Sequence, residues 1–283
     1  MKTVHTIAEM RRLLDEARHA ERTIGLVPTM GYFHEGHLSL MRRAKAENDL
    51  VVASLFVNPI QFGPGEDLSR YPRDLERDER LAAGAGVDLL FYPEVAEMYP
   101  EGFQTTVQVG ALAQGLCGAS RPGHFQGVAT VVLKLFQIVA PHRAYFGEKD
   151  AQQLRVIRRM ALDLNLRLEV IGCPIVREED GLAMSSRNVY LKPEERRAAL
   201  VLSRTLNRAG ELIASGTRDA GALRGQLLRV IAGEPLATLD YLAVVASETL
   251  QPLESLEGEV LIALAVKIGS TRLIDNMTFR VTA

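Results

Sequence analysis

Two histidines flanking a glutamate and a glycine, placed where an apolar run turns polar, are the first residues in this chain whose types and spacing suit chemistry. They stand in Pro28-Thr29-Met30-Gly31-Tyr32-Phe33-His34-Glu35-Gly36-His37. Side chains three apart share one face of a helix. At a helix amino terminus such a pair sits among backbone N–H donors and the positive end of the helix dipole, which suits an anion such as a polyphosphate. Gly36 removes the side chain between the histidines and lets a phosphate approach the backbone. Either histidine alone is an ordinary structural residue; both together at a strand-to-helix junction beside two glycines point to a ligand. With His124 as a third ligand the pair could also hold zinc. Hydrolytic zinc helices, however, space their histidines four apart around a glutamate, and His34-Glu35-Gly36-His37 falls one residue short. No metal site is assigned.

Further polar clusters follow. Phe56-Val57-Asn58-Pro59-Ile60-Gln61-Phe62 closes a second apolar run, and Pro59 turns Asn58 and Gln61 away from it. Amides donate and accept, so the two can read a hydroxyl and a carboxylate together. Arg121-Pro122-Gly123-His124-Phe125-Gln126-Gly127 is a glycine-bracketed loop before an apolar helix. Phe146-Gly147-Glu148-Lys149-Asp150-Ala151-Gln152-Gln153 again runs from strand end to helix start, with Lys149 as a point charge for phosphate and Gln153 one turn on. Met184-Ser185-Ser186-Arg187-Asn188 offers two hydroxyls, an arginine and a potential backbone nest to a triphosphate. Each is weak alone; the set is not.

The elements that must position these residues alternate. Thr6 and Glu9 have capping-box spacing, and Ile7, Met10, Leu14 and Ala17 share a helical face. Thr23 to Val27 and Leu50 to Val57 suit buried strands. The pattern then predicts a helix near Asp74 to Ala83, a strand near Leu89 to Tyr92, a helix near Val128 to Val139, a strand over Arg143 to Phe146, a helix near Gln152 to Asn165 and a strand over Leu168 to Cys173. Such alternation predicts right-handed βαβ units: an α/β, Rossmann-like doubly wound parallel sheet. Ligands in such sheets bind outside the carboxyl ends of the strands, where the motifs at His34–His37, Asn58–Gln61 and Gly147–Gln153 fall. After Cys173 a long helical stretch opened by Pro193 and a helix near Ala220 to Ile231 precede strands over Thr238 to Ala246, Glu259 to Val266 and Arg272 to Val281. This predicts a Rossmann-like domain over 1–175 and a smaller C-terminal lid domain, α/β or α+β, over 176–283.

Composition narrows the partners. The 33 basic and 35 acidic residues leave a net charge of -2, with no basic field for nucleic acid. Arg70 to Arg80 alternates in sign and reads as a solvated helix face. The apolar runs are too short to span a bilayer. Two cysteines make no disulfide framework, and the charged N-terminal stretch reads as no signal peptide, so the expected home is cytoplasmic.

Together the motifs resemble the class I aminoacyl-tRNA synthetase and nucleotidyltransferase superfamily. His34-Glu35-Gly36-His37 matches its His-x-Gly-His element, and Met184-Ser185-Ser186-Arg187 matches its Lys-Met-Ser-Lys-Ser-type loop. Within that group the chain is similar to the pantothenate synthetase (pantoate–β-alanine ligase) family. The likeness is carried by Pro28-Thr29-Met30-Gly31, Asn58-Pro59-Ile60-Gln61-Phe62, Arg121-Pro122-Gly123-His124-Phe125, Phe146-Gly147-Glu148-Lys149-Asp150 and Met184 to Asn188, in the family's order over nearly two thirds of the chain. It departs at Tyr32-Phe33, where the family often has Ala-Leu, a change expected to alter packing rather than chemistry. Past Asn188 the likeness is one of size and pattern and supports no site residue.

The resemblance implies ATP-dependent formation of a pantoyl adenylate, which β-alanine converts to the amide with release of AMP. By resemblance, ATP would contact Met30, His34, His37, Gly147, Lys149, Asp150, Val176, Met184, Ser185, Ser186 and Arg187. His34, His37, Lys149 and Arg187 would carry catalysis, and Asn58, Gln61, His124 and Gln153 would hold pantoate. It also implies Mg²⁺, a homodimer, and neither nucleic acid nor membrane as partner. The neighbouring alternative is another nucleotidyltransferase, which would release pyrophosphate without an amine acceptor; a zinc hydrolase would act without ATP.

Overall fold

A computed structural model describes residues 1–282. In chain order it contains β1 (Lys2–Val4), α1 (Ile7–His19), β2 (Ile24–Thr29), α2 (Glu35–Glu47), β3 (Leu50–Leu55), α3 (Leu75–Gly84), β4 (Leu89–Phe91), α4 (Val95–Met98), α5 (Cys117–Ser120), α6 (His124–Val139), β5 (Arg143–Gly147), α7 (Ala151–Asp163) and β6 (Glu169–Cys173). There follow α8 (Pro193–Ala198), α9 (Val201–Ala214), α10 (Ala220–Ala232), β7 (Ala237–Ala246), β8 (Gly258–Ile268) and β9 (Thr271–Val281).

The first six strands pair in parallel in the order β1-β4-β3-β2-β5-β6. The order reverses between β2 and β5, which opens the carboxyl-end crevice typical of doubly wound sheets. The expected α/β sheet is therefore present. Its strands are apolar on both faces, as β3 shows by burying all of Leu50–Leu55. Val27, Phe33, Met41, Val51, Leu90 and Tyr145 make the core against α2 and α3. Thr6 caps α1 by accepting from the Glu9 N–H at 3.2 Å, and Met10, Leu14 and Ala17 face inward.

The chain divides into two compact units. The first comprises 1–113, 121–148 and 153–174; the second comprises 114–120, 149–152 and 175–283. In the second, β7, β8 and β9 form an antiparallel sheet in that order, with α9 and α10 against it. Leu206, Leu223, Leu227, Ile262 and Leu264 lie in its core. The long helix expected from Pro193 is two helices: Leu200 N–H bonds to Arg197 O and Leu202 N–H to Ala199 O, a three-residue step that tightens the junction.

Candidate active site

The turn from β2 into α2 is built on two left-handed residues, Gly31 (φ 84°) and Tyr32 (φ 53°). Only at such a reversal do the Tyr32 and Phe33 N–H groups point together into the protein, and there Asp78 of α3 accepts both, at 2.5 and 2.7 Å. Asp78 is 1% exposed. Burial pushes its carboxyl above the ordinary range, against the pull of the two backbone N–H groups and Arg77. Arg77 also donates to Phe33 O at 2.8 Å and lies over the Tyr32 ring. The charged segment 70–80 is thus not merely the solvated face its alternation suggested: one of its carboxylates is the buried anchor of the histidine turn. Tyr32-Phe33 enters packing, as expected, with Phe33 fully buried.

His34 is the N-cap of α2. Its Nδ1 accepts from Gly36 N–H at 3.1 Å, and its own N–H donates to His37 Nδ1 at 3.3 Å. The rings lie 4.1 Å apart, centre to centre. With both Nδ1 atoms acting as acceptors, each neutral ring carries its proton on Nε2. The backbone therefore sets two imidazole N–H donors at the positive end of a helix, an arrangement suited to an anion.

Asn58 and Gln61 come from the turn after β3 and are both buried. Asn58 Nδ2 donates to Gln61 Oε1 at 3.0 Å and to Gly127 O at 3.2 Å, while Tyr99 donates its hydroxyl to Asn58 Oδ1 at 2.7 Å. Gln61 Nε2 lies 3.1 Å from Met30 Sδ, which joins this turn to the histidine turn. A thioether is a weak acceptor, so this N–H is available to a better one at little cost. Gly127 is required by proximity: a Cβ there would lie 2.6 Å from Gln61 Cα and 2.7 Å from Gln61 N.

His124 sits behind this turn. Its Nε2 faces Arg121 Nη1 at 3.0 Å and its Nδ1 faces Gln61 O at 2.9 Å. Arginine only donates, so Nε2 accepts and Nδ1 carries the proton, the opposite tautomer to His34 and His37. Arg121 is held in turn by both oxygens of Glu66, each at 2.7 Å. Both ring nitrogens of His124 thus face protein groups, and its contact is with the backbone of Gln61.

Gly147 ends β5, and a Cβ there would meet nothing within 4 Å. Lys149 and Asp150 form the turn into α7. Of the two glutamines that follow, Gln152 is buried and fixed, accepting from Cys117 N–H at 3.0 Å and donating to Gly115 O at 2.8 Å. Among the described residues nothing hydrogen-bonds the half-buried Gln153 side chain. Further on, Met184 N–H bonds to Val176 O at 3.0 Å and closes a hairpin-like loop. Ser185 caps the short turn Ser186–Tyr190 by accepting from Arg187 N–H at 3.2 Å, and Ser186 is buried. Asn188 ties that turn to Glu178 and to Ala183 O.

The structure therefore brings Met30, His34, His37, Asn58 and Gln61 into one connected site in the first unit, with His124 as its support. Lys149, Asp150, Val176, Met184, Ser185, Ser186 and Arg187 belong to the second unit. Asp78, Tyr99 and Glu66 were not foreseen. Arg121, His124 and Gly127, by contrast, support Gln61 from inside a motif already singled out. Among the described residues no group of three His, Cys, Asp or Glu side chains is arranged to hold a metal ion.

Residues 2–278 match a family model described as pantoate-beta-alanine ligase. A pantothenate synthetase of Heliobacterium modesticaldum is 62% identical over 281 residues, 99% of this chain and 100% of its own length. A crystal structure of pantothenate synthetase from Thermus thermophilus has a TM-score of 0.94 at 55% identity, covering 98% of this chain and 99% of that one. A pantoate-beta-alanine ligase from Francisella tularensis, complexed with beta-gamma ATP and beta-alanine, has a TM-score of 0.78 at 35% identity, with 98% and 97% covered.

Proposed function

The chain belongs to the pantoate–β-alanine ligase family, and on that premise we propose that His34 and His37 hold the phosphates of ATP while pantoate attacks. Its activity is ATP-driven condensation of pantoate with β-alanine. The observation that supports the site most directly is the reciprocal capping of the two histidines, which directs both Nε2–H donors from one helix terminus.

In the proposed mechanism a pantoate carboxylate oxygen attacks the α-phosphorus, the bond to the β-phosphate oxygen breaks, and pyrophosphate leaves. The amine of β-alanine then attacks the acyl carbon; AMP departs and the amine loses a proton. Charge builds on the α-phosphate and on the leaving pyrophosphate, so fixed positive donors lower the barrier. His34, His37, Lys149, Ser185, Ser186 and Arg187 are assigned to that charge. Met30, Gly147, Val176 and Met184 line the nucleotide, and Asp150 takes the ribose. Gly147 suits close approach because no protein atom lies where its side chain would be.

Gln61, Asn58 and Gln153 are assigned to pantoate. Gln61 gives up only a weak bond to Met30 Sδ when it turns its N–H to a carboxylate. His124 acts through the Gln61 backbone. Mg²⁺, when bound with the triphosphate, would neutralise part of the phosphate charge, since this ion commonly binds through substrate phosphates. The proposal extends to a cytoplasmic homodimer on the family resemblance. Both cysteines are free, and no helix among the described residues is long and apolar enough to cross a membrane.

The test is AMP and pyrophosphate release from Mg·ATP, omitting pantoate or β-alanine in turn. AMP turnover requiring both acids is expected, with pyrophosphate released on pantoate alone and stalling after about one turnover. Absence of ATP cleavage under every combination would overturn the assignment.

A further inference from the structure

No motif past Asn188 marks a site residue, yet β9 buries two adjacent polar side chains, Asp275 (2% exposed) and Asn276 (6% exposed). Neighbours on a strand point to opposite faces, so burying both requires a partner on each side. Asp275 receives the fork of Arg177, Nη1 at 2.7 Å to one oxygen and Nη2 at 2.9 Å to the other. It also accepts the Asn276 N–H at 2.8 Å. Asn276 Nδ2 donates to the carbonyl oxygen of Lys149 at 2.9 Å. Arg177 donates in addition to Gly181 O at 3.0 Å, inside the loop whose strands are joined by the Arg177–Ala183 bridge and the Met184-to-Val176 bond. All these residues lie in the second unit.

The chain of bonds therefore runs from the Lys149 carbonyl through Asn276, Asp275 and Arg177 to the stem of the loop that carries Ser185, Ser186 and Arg187. A buried ion pair is poor at adding stability, because desolvation offsets its Coulomb gain; its better-attested use is to fix one arrangement among several. Here the arrangement fixed is the carbonyl of Lys149, hence the backbone torsions that aim its side chain, together with the loop stem.

We infer that Asn276, held by Asp275 and Arg177, is a positioning residue for adenylate formation: it sets the Lys149 turn and the 176–188 loop as one piece. This rests on the reading that Lys149 and Ser185–Arg187 hold the triphosphate. Such a residue acts chiefly where the triphosphate is cleaved; after pyrophosphate has left, the same piece keeps only its assigned contacts to the nucleoside, through Asp150, Val176 and Met184.

Two half-reactions separate that role from a structural one: pantoate-dependent exchange of pyrophosphate into ATP, and pantothenate formation from supplied pantoyl adenylate and β-alanine. Asn276→Ala is expected to slow exchange about 10- to 100-fold, the range for a catalytic group displaced by up to an ångström. Amide formation from supplied adenylate at saturation should stay within about twofold, and Asn276→Ala should slow exchange less in the Lys149→Ala background than in wild type. Unchanged exchange, equal losses in both half-reactions, or full additivity with Lys149→Ala each overturns the inference. If Lys149→Ala itself leaves exchange intact, the underlying reading fails as well; if Lys149→Ala slows exchange and Asn276→Ala does not, the inference alone falls. Should Asn276→Ala not fold, Arg177→Lys keeps the charge, loses the fork, and is expected to give the same selective loss; losses in both half-reactions there overturn it.

Discussion

The histidine turn after β2 and the 176–188 loop are both assigned to the triphosphate, yet they are held by different kinds of bond. The turn is fixed by buried and half-buried bonds to backbone: Asp78 on two N–H groups, and imidazole nitrogens on two more. Part of the loop's support is solvated. Arg196 reaches Glu178 at 2.6 Å and Asp180 at 2.9 Å, with all three side chains between 25% and 44% exposed. The Arg196 hydrogen bond holds the Asp180 carboxyl below its ordinary range, although Asp180 is exposed. Bonds of the first kind are costly to lose because nothing replaces them. Those of the second kind are weak and screened by salt. On the proposed assignment the comparison teaches a division of labour: the histidine donors are set before substrate arrives, while the loop adds a solvated set of bonds around its buried stem that can yield as ATP enters.

The hardest test of that division is Asp78→Ala. It leaves the Tyr32 and Phe33 N–H groups without their acceptor, and Arg77 without its neighbouring carboxylate. A loss of about 3–5 kcal/mol is expected, read as a lower urea midpoint at unchanged slope, together with failure to use ATP. A loss under about 1 kcal/mol would mean that the turn is fixed by something else and would collapse the comparison. Gly31→Ala probes the same turn from the backbone side. At φ 84° a Cβ would stand 2.9 Å from Leu55 Cδ2 and 3.1 Å from Asp78 Oδ2. The expected cost is about 1–3 kcal/mol in the same unfolding measurement.

That Asp78 has to be found in a structure shows where sequence reading stops. The parallel sheet and the closing strands were legible because apolar runs and their polar ends are local, as in Leu50 to Val57 followed by Asn58. The histidine motif was legible because both its residues and the glycines that admit a ligand lie within ten positions. Asp78 lies 46 residues from Tyr32, and its partners are N–H groups that converge only once two left-handed residues have reversed the chain. Nothing in Arg70 to Arg80 distinguishes that carboxylate from the solvated ones around it. The tautomer of His124 depends likewise on Arg121, a motif neighbour, and on Gln61 O, which is not one.

Arg196→Ala tests the other side of the comparison and should cost less. Its ion pairs are partly in water, so the expected loss of stability is about 0.5–1 kcal/mol or smaller. The more telling effect is functional. With Glu178 released, Asn188 loses part of its anchor, and KM for ATP should rise about two- to fivefold at low salt while kcat changes less. The gap from wild type should narrow as ionic strength rises, because the pair being removed is already screened there. A salt-independent gap would place this loop with the buried, backbone-fixed turn.

The smallest effect expected concerns Glu66, an ion pair that belongs by sequence to the first unit but by bond type to neither extreme. Burial pushes the Glu66 carboxyl up, but the hydrogen bonds and charge of Arg121 outweigh it, and the group lies below its ordinary value of 4.5. Folded protein therefore binds this proton less readily than unfolded chain does. The contribution of the pair is full above about pH 4.5 and is lost as pH falls through the depressed folded value. Glu66→Gln should cost about 0.5–1 kcal/mol at neutral pH and nearly nothing once the wild-type carboxyl is protonated, so the two stability curves should converge on the acid side. Because Arg121 also fixes His124, and His124 donates to Gln61 O, the variant should raise KM for pantoate modestly at neutral pH and leave KM for ATP alone. Parallel stability curves down to acid pH would show that the Glu66 charge contributes nothing, and that Gln61 owes its place to Asn58 and the close approach of Gly127 instead.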